Sequence, residues 1–98
     1  MPVTPAIECT IRTELADGFF RLKAIARADA PAAGQYSFLV AKRSESGSSN
    51  NAQNGTFVLR GGQEEVVTTL VLDRSAAGHY HAELSLQTDN GGVTCTSP

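Results

Sequence analysis

The stretch "FFRLKAIARA", residues 19–28, decides the fold class, because its apolar side chains recur at every second position. Successive side chains of a β-strand point to opposite faces of a sheet, so this period predicts a strand with one buried and one solvent-facing side. The predicted buried face carries Phe20, Leu22, Ala24 and Ala26. The predicted outer face carries Phe19, Arg21, Lys23, Ile25 and Arg27.

Six further segments show strand signals and are separated by residues that favour turns. The predicted strands are residues 6–13, 35–43, 56–60, 64–72, 79–87 and 93–96. The predicted turns and loops are residues 16–18, 29–34, 44–55, 61–62, 73–78 and 88–92. Both faces of segment 64–72 are apolar, which leaves its register open. No stretch has a convincing helical period.

Seven short strands in 98 residues predict one domain, residues 1–98. The pattern indicates an all-β, seven-stranded antiparallel immunoglobulin-like β-sandwich. Tyr80 stands at the start of the sixth strand, two residues after Gly78, where a tyrosine corner would bond its phenol to nearby backbone. The chain has no Trp and no cysteine pair between its second and sixth strands, so the predicted likeness is one of shape and not to an antibody domain.

The net charge argues against one broad class of function. Eight basic and ten acidic residues give a formal charge of −2, whereas dedicated nucleic-acid-binding proteins carry a basic excess. No apolar run is long enough to span a bilayer. The start "MPVTPAIEC" lacks the basic and apolar regions of a signal peptide, so we expect a cytosolic protein or the mature form of an exported one.

The two cysteines, Cys9 and Cys95, lie in the first and last predicted strands. They lack the spacing of a structural zinc site, and their positions predict a disulfide that ties the two ends of the domain together. Such a bond implies an oxidising compartment. The alternative is a pair of buried free thiols, a common environment for cysteine.

The sequence favours no catalytic reaction and no cofactor. It has no nucleophile elbow, phosphate-binding glycine loop or dinucleotide-binding motif. His79, His81 and Glu83 alternate along one predicted strand face and could hold a metal weakly, although exposed histidines are more often simply solvated. We therefore expect a protein that is not an enzyme and has no metal site.

Basic residues are concentrated in segment 18–44, where five of them stand against Asp29 as the single acidic residue. They are Arg21, Lys23, Arg27, Lys42 and Arg43. One interpretation is an electrostatic landing site for an acidic or polar chain. The other is a solvated surface whose charges discourage pairing between sheet edges.

The amide-rich string "SNNAQNGTF", residues 49–57, belongs to the low-complexity segment that we predict to be a mobile loop between the third and fourth strands. "GQYSFLVAKRSESG" precedes this string, "LRGGQEEVVTTLVL" and "GHYHAELSL" follow it, and "GGVTC" stands near the C-terminus. Together these motifs resemble the CsgH family of curli-system proteins, from Cys9 to Cys95. The family's signature positions correspond here to Tyr36, Phe38, Ser49, Asn50, Gln53, Gly55, Phe57 and Tyr80.

The resemblance implies a function. Proteins of this family are small periplasmic β-sandwiches, akin to CsgC, that prevent premature amyloid (curli) assembly by the curlin subunit CsgA. It implies transient, substoichiometric contacts with CsgA and other amyloidogenic chains by a monomer that does not enter the membrane. The motif-loop residues Ser49, Asn50, Gln53 and Gly55 would contact the client. The simpler interpretation is that Asn50 and Gln53 cap the loop by bonding its backbone.

Two other functions are compatible with the sequence. The first is an immunoglobulin-like structural or adhesion module of a secreted surface assembly, without anti-amyloid activity. The second is a carbohydrate-binding sandwich, which the lack of Trp and the presence of only two Tyr disfavour, because sugar-binding platforms need aromatic rings.

Overall fold

The computed structural model describes residues 7–44, 47–74, 78–88 and 91–97, and these residues form seven β-strands. The strands are β1 (Ile7–Ala16), β2 (Phe19–Ala28), β3 (Ala32–Ser44), β4 (Gly47–Leu59), β5 (Glu64–Asp73), β6 (Tyr80–Thr88) and β7 (Gly91–Ser97). All neighbours pair antiparallel, in one sheet of order β1-β2-β5 and another of order β4-β3-β6-β7. The all-β class and the seven antiparallel strands in two sheets are confirmed. No helix in the described segments could cross a membrane.

One apolar core lies between the two sheets and receives side chains from both. Its buried members are Phe20, Leu22, Ala24, Ala26, Ala28, Phe38, Val40, Phe57, Leu59, Ala82, Leu84 and Leu86. The buried face predicted for β2 is therefore confirmed. Three small alanines from β2 face larger side chains of the opposite sheet, which is how two sheet faces fill a core without voids.

Ile25 departs from the predicted pattern, because it lies on the outer face of β2 and is only 4% exposed. Arg12 on β1 pairs with Lys23, and Glu64 on β5 pairs with Arg27. The Arg12 Nη2 and Glu64 Oε2 atoms are 3.2 Å apart, so this ion pair spans the intervening row that Ile25 occupies. The aliphatic stem of an arginine can cover apolar surface while its charged end stays solvated, which accounts for the burial.

The low-complexity segment is a strand and not the predicted loop. β4 pairs with β3 residue by residue, from Ala32 opposite Leu59 to Ser44 opposite Gly47. Side chains of β4 alternate between exposed and partly buried from Asn51 onward, although small polar residues conceal this period in the sequence. β3 also begins earlier than predicted, so the predicted loop 29–34 shortens to residues 29–31. Residues 45–46, 75–77 and 89–90 of the predicted loops and turns lie outside the described residues.

A bulge in β5 explains why the sequence alone did not fix the register of this strand. Val66 pairs with Ile25 and Thr68 pairs with Ala24, so Val67 is an extra residue in β5. Val67 and Leu70 both pack against the core, which a strand of strict period two could not achieve because they are three residues apart. A strict alternation drawn through segment 64–72 therefore places core residues on both faces of the strand.

The predicted disulfide between Cys9 and Cys95 is confirmed. It joins β1 to β7, one edge strand of each sheet, across 86 residues of sequence and a Cα–Cα distance of 6.0 Å. A cross-link that closes so long a loop restricts the unfolded chain and contributes roughly 4 to 5 kcal/mol on the loop-entropy model. The bond therefore closes one side of the pair of sheets.

Tyr80 does not form the predicted bond to neighbouring backbone. Its hydroxyl group lies 2.9 Å from Oγ of Ser97 on β7, within hydrogen-bond distance. Its ring packs tilted against Phe20, with centroids 5.0 Å apart. Tyr80 thus links β6 to the neighbouring strand and to the opposite sheet.

Candidate interaction surface

Arg21, Lys23 and Arg27 form a basic stripe along β2 on the outer face of the three-stranded sheet, where Glu14 of β1 accepts hydrogen bonds from two of them. Lys23 Nζ is 2.9 Å from Oε1 of Glu14, and Arg21 Nη1 is 3.3 Å from Oε2. The hydrogen bond from Lys23 and its charge, followed by Arg21, hold the pKa of Glu14 below its ordinary value. All three side chains are substantially exposed, so the pairs contribute little to stability.

The outer face of the three-stranded sheet carries balanced charge. Its four cationic side chains are Arg12, Arg21, Lys23 and Arg27. Its four carboxylates are Glu8, Glu14, Glu64 and Asp73. Basic residues of the central strand thus alternate with acidic residues of both flanking strands, and the face is not a uniform positive patch.

Lys42 and Arg43 belong to β3 of the other sheet, so the five predicted basic residues do not form one surface. They are consecutive in a strand and point to opposite faces. Lys42 is partly buried beside its pairing partner Tyr80, whereas Arg43 is exposed and its backbone N–H donates to the carbonyl of His79 at 2.8 Å. Concentration of basic residues in the sequence therefore did not predict proximity in space.

The residues predicted as a motif loop all lie along β4. Gln53 points between the sheets, and its Oε1 accepts a 2.6 Å hydrogen bond from Oγ1 of Thr68 on β5. Ser49 and Asn50 are exposed. The interpretation of Gln53 as a cap for loop backbone is therefore wrong, since it joins the two sheets on the side opposite the disulfide.

Gly55 provides space for the ring of Tyr36, its pairing partner on β3. A Cβ atom at Gly55 would lie 2.8 Å from Cε1 of Tyr36, closer than side-chain carbons approach one another. The aromatic ring therefore covers the glycine backbone and shields a position that has no side chain to pack. These two signature positions have an architectural role.

The outer face of the four-stranded sheet is mostly uncharged and carries two shallow grooves beside β4. The first, of about 430 Å³, is lined by Gln35, Tyr36, Ser37, Asn54, Gly55, Thr56, Ser85 and Gln87. The second, of about 310 Å³, is lined by Leu39, Val40, Ala41, Asn50, Asn51, Ala52, His81 and Glu83. Most residues that line the first groove carry a hydroxyl or amide group, and half of those that line the second are small or aliphatic, so this surface is suited to contact with an uncharged polar chain.

The alternative of a weak metal site at His79, His81 and Glu83 finds no support in the described residues. Within residues 7–44, 47–74, 78–88 and 91–97, no three His, Cys, Asp or Glu side chains are close enough to hold a metal ion. His81 and Glu83 instead line the second groove.

Sequence reasoning missed Glu14 and Thr68, which are the partners of the predicted site residues. Glu14 could have been found, because a two-residue turn between Ala16 and Phe19 places it directly opposite Arg21. Thr68 could not, because its position follows from the bulge in β5 and not from a regular period.

Comparisons with known proteins agree with this architecture. The family model for CsgH protein matches residues 8–97. The solution structure of CsgH from R. palustris is similar, with a TM-score of 0.81, 27% identity and coverage of 93% of this chain and 90% of that one. The curli protein CsgC of E. coli shares the fold, with a TM-score of 0.74 at 17% identity over 97% of this chain and 99% of that one. No curated protein sequence matches. The chain belongs to the CsgH family, as its sequence motifs indicated.

Proposed function

We propose that this protein is a chaperone-like inhibitor that prevents premature curli amyloid formation by the curlin subunit CsgA. The observation that carries the proposal is the CsgH family match over residues 8–97, which spans both sheets and both cysteines. Similarity in fold to a curli protein supports the same assignment. Under this proposal the protein acts as a monomer, without a catalytic step and without a cofactor.

The proposed location is the periplasm. A disulfide between Cys9 and Cys95 supports an oxidising compartment, since reducing compartments keep thiols reduced. The curli-system relatives support an extracytoplasmic location as well. The strand orders β1-β2-β5 and β4-β3-β6-β7 support the immunoglobulin-like description of the sandwich.

The proposed mechanism is transient contact with a disordered or growing client. Arg21, Lys23, Arg27, Lys42 and Arg43 are the candidate encounter residues, and attraction to an acidic client would raise the rate of encounter at low salt. The balanced charge around Arg21 and Lys23 makes this attraction short-ranged. An encounter of this kind favours brief, repeated contacts over a stable complex.

The test is the time course of thioflavin-T fluorescence during assembly of purified CsgA, with this protein well below equimolar concentration. Circular dichroism in the same buffer verifies that the protein is folded. A prolonged lag at a low ratio supports interception of early assembly species or growing ends. An unchanged time course overturns the proposal and, together with a stable stoichiometric complex with a surface subunit, favours the adhesion-module alternative.

A further inference from the structure

β4 is an edge strand without the usual protection against pairing with another chain. It lies at the end of the four-stranded sheet and pairs on one side with β3, without a register shift over its whole length. Within the described segments, no strand pairs with its other side. Residues 48–58 therefore present a long, regular backbone edge.

The other three edge strands differ from β4 in features that discourage added strands. Three of the ten residues of β1 are charged, and so are three of the ten of β5, which also carries a bulge. β7 has only seven residues and is tied to β1 by the disulfide. β4 has thirteen residues without one charge or proline. Proteins ordinarily blunt exposed edges with charges, prolines and bulges, so an edge without them is open to pairing.

We propose that the backbone edge of β4 is where the client adds as a fifth strand of this sheet. This inference rests on the proposed function and names the surface that carries it. Residues on the outer face beside the edge are uncharged and mostly small and polar, namely Ser48, Asn50, Asn54 and Thr56, with the exposed Ala52 and Val58 as the apolar members. The occupant is thus an extended, uncharged segment of the amyloid-forming chain rich in Ser, Asn, Gln and Gly, because such side chains form hydrogen-bonded ladders between adjacent strands.

The edge is held in shape before any client arrives. The hydrogen bond from Thr68 to Gln53 ties the middle of β4 to β5, and the ring of Tyr36 covers Gly55. A fixed strand loses less conformational entropy on pairing than a frayed one, which favours binding through backbone hydrogen bonds.

Pairing at β4 would end growth of the client sheet. A client strand that joins β4 becomes continuous with β3, β6 and β7. The far edge, β7, is short and linked through Cys95 to the other sheet, so it is a poor template for the next strand. One molecule at a growing end would thus block that end, so this mechanism predicts inhibition well below equimolar concentration.

The test compares two variants with equal added charge. Asn50→Lys/Asn54→Lys places lysines on β4, and the control variant Thr94→Lys/Thr96→Lys places them at exposed positions of β7, the other edge of the same sheet. Lysines on an edge oppose strand addition, so the β4 edge variant should extend the thioflavin-T lag about fivefold less than the control variant does, because the client adds at β4 and not at β7. Thermal unfolding followed by circular dichroism shows whether both variants fold.

Hydrogen exchange provides a direct readout with wild-type protein and freshly desalted CsgA. Amides in residues 48–58 should gain protection when CsgA is present, while those of β7 remain unchanged. Equal inhibition by both variants, or no protection in β4, would overturn this inference and leave the anti-amyloid activity of the wild type standing. A third outcome is that the wild type forms a dimer, that the β4 edge variant abolishes this dimer, and that CsgA gives β4 no protection from exchange. The edge would then bind a second copy of this protein, and the inference would also be overturned. No lag extension by the wild type would reject the proposed function itself.

Discussion

Thr68 on β5 donates a 2.6 Å hydrogen bond to the side-chain oxygen of Gln53 on β4, and this bond joins the two sheets. The disulfide between Cys9 and Cys95 joins them on the opposite side. The two sheets are thus tied at both margins, once by a covalent bond and once by a polar contact between a bulged strand and an amide-rich strand.

Replacing Gln53 with Ala should lower the free energy of unfolding by about 1 kcal/mol, because a partly buried hydroxyl group loses its partner. Urea unfolding measures the change, and Asn54→Ala, an exposed neighbour, is the control. In a double-mutant cycle with Thr68→Val, the two substitutions should couple by about 0.5 to 1.5 kcal/mol. Strictly additive effects would show that the bond does not stabilise the fold.

Replacing Gly55 with Ala should destabilise the protein by about 1 to 3 kcal/mol, because the new methyl group would overlap the ring of Tyr36. The measurement is again urea unfolding. In a Tyr36→Ala background, the same glycine substitution should cost much less, since the ring is absent. An equal cost in both backgrounds would show that overlap with the ring of Tyr36 is not the cause.

Removing the disulfide with Cys9→Ser/Cys95→Ser should lower the free energy of unfolding by roughly 4 to 5 kcal/mol, as an upper value from the loop-entropy model. Reduction of the wild type with dithiothreitol should reproduce the shift in the urea midpoint. The double variant itself serves as the control, because the reductant should not change it further. A wild-type midpoint that reductant leaves unchanged would contradict the stabilising role of this bond.

The sequence predicted those parts of the fold that follow from a regular alternation of apolar residues or from a single possible pair of cysteines. The alternation of Phe20 and Leu22 gave the buried face of β2, and the positions of Cys9 and Cys95 gave the disulfide. The burial of Ile25 could not be predicted from the period, because the ion pair that crosses its row joins residues 52 positions apart in the sequence.

The amide-rich strand shows why local composition misleads about the candidate site. Residues 47–55 lack the apolar alternation that marks a strand, and they pair because β3 offers a full-length partner. The strand therefore forms through tertiary context and not through local propensity. The family motif singled out Gln53 and Gly55, but only the structure shows that Gln53 bonds to Thr68 and that Gly55 lies beneath Tyr36.

Glu14 should give the stability a defined dependence on pH. Its folded-state pKa is lowered from 4.5 by the hydrogen bond and charge of Lys23 and then by Arg21. The contribution of Glu14 to the free energy of unfolding is therefore complete above its unfolded-state pKa, and it disappears as the pH falls through its folded-state pKa. Glu14→Gln should destabilise the protein at pH 7 but not at pH 2, as measured by urea unfolding. Lys23→Gln should reduce the pH dependence of stability in the same way. If Glu14→Gln were still less stable than the wild type at pH 2, this account would be contradicted.

Reversing the charges of Arg21, Lys23 and Arg27 to Glu should weaken inhibition of CsgA assembly at low salt, if these residues assist the encounter. We expect the thioflavin-T lag extension to fall by roughly threefold to tenfold near 10 mM salt, because steering depends on unscreened charge. At about 500 mM salt the variant and the wild type should converge, since the Debye length is then only a few ångströms. The matched variant Arg60→Glu/Arg74→Glu/Thr94→Glu/Thr96→Glu makes the same change in net charge at exposed positions outside the candidate encounter residues. An equal loss in both variants would assign the effect to net charge, and full inhibition by the first variant at low salt would exclude any role for the stripe on β2.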